Sequence, residues 1–188
     1  HYNRSLKEAE TTAKMIEEFG VEVKLFKADL SDEKQTSSLI SEVKNVFPEF
    51  SILINSASVF TRKSLKDTDN NLFNDNFNIN LKAPFILTRE FALLCKKGDV
   101  INILDSKISN NLSSHFAYSL FKKGLKELTT ISAKELAPDI RVNALAPGLI
   151  LPPDGEDFSY MNELSKKIPQ KKVGRLCDIT NGIVFLQE

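Results

Sequence analysis

Short apolar runs that alternate with longer helical patterns are the feature that most constrains how this chain folds. The apolar runs cover residues 51–57, 99–105 and 140–148, and helical patterns over about 70–95 and 115–137 separate them. Nearly continuous apolar runs are typical of strands buried on both faces, and strands separated by helices indicate a parallel sheet. We therefore predict an α/β fold, a doubly wound parallel sheet with helices on both faces and right-handed crossovers.

The remaining segments extend the same alternation. A helix is predicted over 6–19, followed by a strand over 21–30. Ser31 or Asp32 then supplies the cap of a helix that reaches about residue 46. One or two further helices are expected in 157–187.

Charge and cysteine content exclude several classes of partner. The 188 residues carry 25 basic and 25 acidic side chains, so the net charge gives no electrostatic basis for binding nucleic acid or an anionic membrane. No apolar run approaches the roughly 20 residues of a membrane helix, and the first residues do not resemble a signal peptide. Cys95 and Cys177 are far apart, so we expect two buried small residues, no disulfide or metal site, and a reducing cytoplasm.

A glycine-rich phosphate-binding turn is missing from the sequence. No G-x-G-x-x-G pattern precedes the first predicted helix, and a strand–turn–helix–strand unit of roughly 30 residues would be needed there. The chain also ends within a helical pattern, IVFLQE. We therefore interpret 1–188 as a single domain that is truncated at both ends and lacks the first βαβ portion and the closing strand.

Polar groups and tight turns gather at the ends of the predicted strands. Ligands of doubly wound sheets bind outside the carboxyl ends of the strands. Here those ends carry Asp29, the segment Asn55–Ser58, Asp105, and the pair Pro147–Gly148. The sequence therefore predicts a ligand crevice at this edge.

Tyr118 and Lys122 are the candidate catalytic pair. They lie four residues apart in a helical pattern, so they share one face of the helix. A nearby ammonium group favours the phenolate and lowers the pKa of a tyrosine, which would let the pair donate a proton to a substrate. The alternative is an aromatic core residue beside a solvated lysine.

Five segments together resemble the short-chain dehydrogenase/reductase family, whose pattern extends over essentially the whole chain. The resemblance implies a Rossmann-like fold, in which Tyr118 is the catalytic acid, Lys122 also holds the nicotinamide ribose, and Asn80 positions a water in the proton relay. It further implies a homotetramer or homodimer packed through the helices at about 70–95 and 115–137. The segments are KADLSD (27–32), ILINSAS (52–58), NINLKAPF (78–85), INILD followed by AYSLFKK (101–123), and RVNALAPG (141–148).

The same resemblance implies a set of cofactor-binding residues. NADPH is the expected cofactor, because the N-terminal HYNRS resembles a segment that places Arg4 and Ser5 on its 2′-phosphate, and a guanidinium suits a phosphate. The alternative for Arg4 is a solvated terminal residue. The complete implied set is Arg4, Ser5, Asp29, Leu30, Asn55, Ser56, Ala57, Ser58, Lys122, Pro147 and Gly148.

Two departures from the family pattern point to a branch within it. Asp105 stands where the family has a catalytic serine, and N-S-A-S replaces N-N-A-G before Phe60. Both features resemble the pteridine reductases, which implies an Asp105–Tyr118–Lys122 triad and a Phe60 ring that stacks on a pterin. The alternatives are a turn residue at Asp105 and one more core phenylalanine at Phe60.

The sequence thus predicts an NADPH-dependent reductase of a small pterin-like molecule, of the dihydropteridine, dihydrobiopterin or dihydrofolate class. Two alternatives stay open: a 3-oxoacyl-carrier-protein reductase or other carbonyl reductase of the same family, and a non-catalytic remnant or binding module. Lys107 and Lys123 are expected to be solvated. His115 is expected either to line the site or to start a surface helix, and Arg175 either to cap a helix or to touch a neighbouring subunit.

Overall fold

A three-stranded parallel sheet organises the part of the chain that the structure describes. The computed structural model describes residues 1–109, 113–153 and 155–188. The strands are β1 (Ile52–Asn55), β2 (Gly98–Ile103) and β3 (Ile140–Leu145), in the order β1-β2-β3. Both pairs of neighbouring strands are parallel, which confirms the predicted parallel sheet.

Seven α-helices accompany these strands within the described ranges. The predicted helix over about 70–95 is present, but its centre is a π-helical turn, Asn78–Lys82, that separates two α-helices. None of the described helices is long and apolar enough to span a membrane. The α-helices are α1 (Leu6–Glu17), α2 (Glu33–Val46), α3 (Asn70–Phe77), α4 (Ala83–Leu94), α5 (Phe116–Leu136), α6 (Phe158–Ser165) and α7 (Leu176–Phe185).

The cap of α2 illustrates why these boundaries lie where they do. Asp32 has an extended backbone, and its Oδ1 accepts hydrogen bonds from the backbone amides of Lys34 and Gln35 at 2.9 and 3.1 Å. These bonds satisfy amides that have no partner within the helix. Of the two predicted caps, Ser31 and Asp32, the structure uses Asp32.

Helices cover both faces of the sheet. Alternate residues of a strand face opposite sides, and Val100 and Val142 pack on one side against α4 and the C-terminal half of α5. On the opposite side, Leu145 of β3 lies against Gly182 of α7. The predicted layer arrangement is therefore confirmed.

The predicted strand over 21–30 is a correction. This segment forms only one isolated parallel bridge, between Tyr2 and Lys27, and is not paired with β1. A cavity of about 510 Å³ lies between the 26–30 segment and the free edge of β1. A strand requires a neighbour for its backbone groups, and an apolar pattern does not specify that neighbour. Ala28 and Leu30 are nonetheless buried, against α2 and α4.

Gly98, the first residue of β2, allows the test of a close backbone contact. Its φ is +153°, and a Cβ built there would lie 2.2 Å from the Ser51 carbonyl oxygen and 2.8 Å from the Phe91 ring. We therefore expect Gly98→Ala to lower the free energy of unfolding by about 3 kcal/mol, measured by urea denaturation. Gly148→Ala is the control, because a Cβ there meets no atom within 4 Å. Equal, small effects of the two substitutions would contradict the argument.

Candidate active site

Helix α5 and the end of β2 bring the predicted catalytic residues together. Tyr118 lies in the first turn of α5, and Asp105 follows β2 by two residues. The Tyr118 hydroxyl donates a hydrogen bond to Asp105 Oδ2 at 2.7 Å. Tyr118 is buried, so this bond lies largely outside bulk solvent. The predicted pairing of these two groups is present in the structure.

The turn after β2 fixes the Asp105 carboxylate. Its Oδ1 accepts a hydrogen bond from the Lys107 backbone amide at 2.7 Å, at the start of a 3₁₀ turn over Ser106–Ser109. The Ser106 amide donates to the Pro147 carbonyl oxygen at 2.9 Å. Thus the predicted turn at Pro147–Gly148 lies beside the Asp105 turn, and each supports the other.

Lys122 lies one helical turn beyond Tyr118 and is almost fully buried. Its Nζ donates a hydrogen bond to the carbonyl oxygen of Ile103, the last residue of β2, at 2.8 Å. The Nζ is 5.9 Å from the centroid of the Tyr118 ring. Burial lowers the pKa of Lys122 to about 8, and the charge of Asp105 opposes this effect.

The protonation of Tyr118 differs from the expectation that Lys122 favours a phenolate. Burial raises the pKa of Tyr118 well above its ordinary value, and the hydrogen bond and charge of Asp105 raise it further. Lys122 is not among the groups that lower it. The geometry therefore holds Tyr118 as a neutral phenol at neutral pH, the form that donates a proton.

Asn80 holds the turn that follows β1. Its Oδ1 accepts hydrogen bonds from the Ser58 hydroxyl and the Val59 amide, both at 2.9 Å. Its Nδ2 donates to the Val59 carbonyl at 2.9 Å and to Asn76 Oδ1 at 3.1 Å. Because the side-chain amide is fully used, the structure makes Asn80 a positioning residue for residues 58–60. Its role in a water relay stays a prediction.

A buried polar chain joins β1, β2 and α5. Asn55 Nδ2 donates to Asn102 Oδ1 at 2.8 Å, and Asn102 Nδ2 donates to Thr129 Oγ1 at 2.9 Å. The Thr129 hydroxyl donates to the Leu125 carbonyl at 2.7 Å. Asn102 and Thr129 were not among the predicted site residues, although an asparagine inside the apolar run VINI was a visible signal.

Two cavities receive most of the predicted cofactor-binding residues. Asn3, Arg4, Ser5, Asp29 and Ser31 line a cavity of about 420 Å³. The Arg4 guanidinium and the Ser5 hydroxyl can donate to a phosphate group, while the carboxylates of Asp29 and Asp75 also line the cavity. The Asp29 carboxylate accepts from Ser31 at 2.7 Å through the hydroxyl and at 2.9 Å through the amide, and these bonds lower its pKa.

The second cavity is the one of about 510 Å³ at the edge of β1. Asn55 Oδ1 is buried and accepts no hydrogen bond from the residues that the structure describes. A buried acceptor that lacks a donor is destabilising, whereas most of the other side chains that line this cavity are apolar, among them Phe26, Ile52 and Leu87. The predicted residues that line it are Leu30, Asn55, Ser56 and Ala57.

Phe60 lies at the centre of an aromatic cluster beside Tyr118. Its ring is 46% exposed, stacks on the His115 ring with centroids 4.5 Å apart, and meets the Tyr118 ring edge-on at 4.7 Å. Lys107 Nζ is 5.0 Å from the Phe60 centroid. Lys107 is half-buried beside this cluster, and His115 lines the site as well as preceding α5.

Two further predictions concern Arg175 and the two cysteines. Arg175 is the residue before α7, and its backbone amide donates to Asp178 Oδ2 and its guanidinium to Asp178 Oδ1, both at 2.9 Å, as a capping role requires. Its contact with a neighbouring subunit stays a prediction. Cys177 is exposed, so its predicted burial is wrong, whereas Cys95 is buried as predicted. Cys177 lies in the first turn of α7, where its side chain is open to solvent.

Comparison with known proteins gives one family over the whole chain. The family model described as enoyl-(acyl carrier protein) reductase matches residues 2–188. The solved structure of FolM alternative dihydrofolate reductase 1 from Brucella suis in complex with NADP superposes with a TM-score of 0.91 at 30% identity, covering 98% of this chain and 75% of that one.

Curated relatives include enzymes with different substrates. Dihydromonapterin reductase from Klebsiella pneumoniae is 27% identical over 85% of this chain and 68% of its own length. The 3-oxoacyl-[acyl-carrier-protein] reductase FabG from Staphylococcus epidermidis is 28% identical over 99% of this chain and 79% of its own length.

The pKa of Lys122 predicts how stability depends on pH. Between the folded pKa of about 8 and the ordinary value of 10.5, the unfolded chain binds more protons than the folded chain, so the contribution of Lys122 to stability rises with pH. Lys122→Met removes this contribution. We expect the stability of the native chain relative to Lys122→Met to increase by about 2 kcal/mol from pH 7 to pH 9.5, measured by urea denaturation. A pH-independent difference would mean that Lys122 titrates normally.

Proposed function

The chain belongs to the short-chain dehydrogenase/reductase family of oxidoreductases, and we propose that it reduces pterin-like substrates of the dihydropteridine, dihydrobiopterin or dihydrofolate class with NADPH. One observation carries this proposal. The Tyr118 hydroxyl is bonded to a carboxylate, Asp105, at 2.7 Å, and the exposed Phe60 ring lies 4.7 Å from the Tyr118 ring. A proton donor thus stands beside an aromatic face that suits a flat bicyclic ring.

Each residue of the site has a defined part in such a reduction. Bound NADPH supplies a hydride to a ring carbon of the substrate. Tyr118 donates the accompanying proton, and its raised pKa keeps it protonated until the substrate nitrogen becomes more basic. Asp105 fixes the direction of the Tyr118 hydroxyl, and Lys122 fixes the end of β2 against α5.

The similar proteins support the pterin class. Two of them, an alternative dihydrofolate reductase in complex with NADP and a dihydromonapterin reductase, are named for pterin-type substrates. The cavity lined by Arg4 and Ser5 supports a cofactor that carries a 2′-phosphate.

A second candidate function is reduction of a 3-oxoacyl group on a carrier protein. The similarity to FabG and the description of the matching family model favour it. Asp105 argues against it, because Asp105 stands where the short-chain dehydrogenase/reductase pattern has a catalytic serine. The exposed aromatic face of Phe60 also has no evident use with an acyl chain.

Assembly through α4 and α5 is part of the same proposal. Both helices present large apolar side chains to solvent in the single chain, including Leu93 at 72% and Ile131 at 61% exposure. Exposed apolar patches of this kind mark protein–protein contacts. We propose that these helices pair copies of the chain into a homodimer or homotetramer.

A substrate panel tests the catalytic proposal. With NADPH, we expect oxidation of cofactor in the presence of dihydrobiopterin and dihydrofolate and not with acetoacetyl thioesters.

Asp105→Ser removes the carboxylate that accepts from Tyr118 and should lower kcat for dihydropterins by about 10²-fold. Phe60→Leu removes the aromatic face and should raise KM by about tenfold, whereas Phe60→Tyr keeps the face and is the matched control.

Two outcomes would overturn this proposal. Turnover of acetoacetyl thioesters without turnover of dihydropterins would establish the carbonyl reductase instead. Failure of the intact protein to bind NADPH in calorimetry would favour a non-catalytic remnant or binding module.

Arg4 provides the test of cofactor preference. Its guanidinium lines the cavity assigned to the 2′-phosphate, so Arg4→Gln should raise KM for NADPH by on the order of tenfold and leave KM for NADH nearly unchanged. The ratio of kcat/KM for the two cofactors, compared in the native chain and the variant, is the measurement. A ratio that does not change would place the phosphate elsewhere.

A further inference from the structure

Lys107 Nζ lies over the Phe60 ring, and Arg62 follows Phe60 by two residues, so positive charge gathers beside this ring. We propose that Arg62 and Lys107 form an anion-binding subsite there, which selects pterins with an acidic substituent over neutral pterins. The subsite thus favours the dihydrofolate class, whose ring carries a tail with carboxylates, over dihydrobiopterin. This inference rests on the proposed function, because the acidic tail is placed relative to a ring at Phe60.

Lys107 is held in place by the active-site turn itself. Its backbone amide donates to Asp105 Oδ1 at 2.7 Å, and its side chain extends until Nζ lies 5.0 Å from the Phe60 centroid. The same turn therefore positions the carboxylate that contacts Tyr118 and the cation that contacts Phe60. Because Nζ lies over the Phe60 ring, a substrate ring that stacks there displaces the ammonium group, and the flexible lysine side chain then places it at the edge of the substrate.

Arg62 belongs to the segment that follows Phe60. It lies two residues after Phe60, in a segment joined to the start of α5 by a 3.0 Å hydrogen bond from the Phe116 amide to the Lys63 carbonyl. Burial first, and then the charges of Lys107 and Arg62, lower the pKa of His115. Both cations therefore lie close to the His115 ring, which is stacked on Phe60.

No carboxylate neutralises these two cations among the described residues. Neither Arg62 nor Lys107 forms an ion pair there. Asp105 is the one acidic group that acts on His115, and both of its oxygens already accept hydrogen bonds, from Tyr118 and from the Lys107 amide. In a chain with no net charge, this is a local excess that attracts an anion.

The chemistry of the two cations favours a carboxylate at this subsite. A guanidinium presents a planar pair of donors that matches a carboxylate, and an ammonium adds a point charge that tolerates movement of the tail. Neither group touches the Tyr118 hydroxyl in the structure, so their contribution is to substrate binding and not to proton transfer.

The test uses two substrates that differ only in charge, dihydrofolate and its dimethyl ester. In the native chain we expect KM for the acid to be about tenfold below KM for the ester, and this advantage to shrink when ionic strength is raised. Arg62→Gln and Lys107→Gln should each remove most of that advantage, mainly through KM rather than kcat. Arg62→Lys should restore part of it, because the charge returns without the planar donors.

A distant charge gives the matched control. Lys134 is exposed near the C-terminal end of α5, 16 residues or roughly 24 Å of helix beyond Tyr118, so Lys134→Gln removes a charge without touching the subsite. Equal KM values for acid and ester in the native chain would overturn the subsite. Variants that raise KM for the acid and for the ester equally would also overturn it. The same holds for an effect of the two variants that is seen only with acetoacetyl-acyl carrier protein as substrate.

A separate measurement distinguishes failure of the subsite from failure of the proposed function. If none of dihydrofolate, its ester and dihydrobiopterin is turned over, the proposed function fails, and the subsite is tested by calorimetry with folic acid and its dimethyl ester. Preference for folic acid that disappears in the Arg62→Gln/Lys107→Gln double variant supports the subsite. No preference in that titration overturns it.

Discussion

The buried hydrogen bond between Asn102 and Thr129 is the interaction on which the geometry of the site depends. Thr129 lies eleven residues after Tyr118 and seven after Lys122, so all three share one face of α5. Because Asn102 Nδ2 donates to the buried Thr129 hydroxyl, this bond fixes how α5 is rotated and where it lies along β2. The bond from Asn55 to Asn102 extends the same constraint to β1.

This constraint decides the proton chemistry of the site. With α5 fixed, Lys122 reaches the end of β2 and donates a hydrogen bond to the Ile103 carbonyl, while the Tyr118 hydroxyl donates to Asp105. A carboxylate that accepts from a buried phenol stabilises the protonated form of that phenol. The arrangement suits proton donation at neutral pH, which is the direction that a reductase needs.

The sequence predicted those parts of the molecule that depend on local periodicity. The apolar runs of β1, β2 and β3 and the spacing of Tyr118 and Lys122 are local patterns, and the structure contains them. The strand over 21–30 was wrong because strand pairing depends on a partner elsewhere in the chain. The contact between Lys107 and Phe60 could not be predicted for a similar reason. Lys107 is 47 residues from Phe60, and nothing in the neighbouring sequence indicates the contact.

The π-helical turn at Asn78–Lys82 shows how a local departure from regular structure serves the site. Such turns are rare and frequently occur at functional sites, because their hydrogen bonding is less favourable than that of a regular α-helix. Here the turn directs Asn80 towards the end of β1, where its amide forms four hydrogen bonds, three of them to Ser58 and Val59. Those bonds offset the irregular turn and fix the segment that carries Phe60. The position of the aromatic face beside Tyr118 therefore follows from one irregular turn between two α-helices.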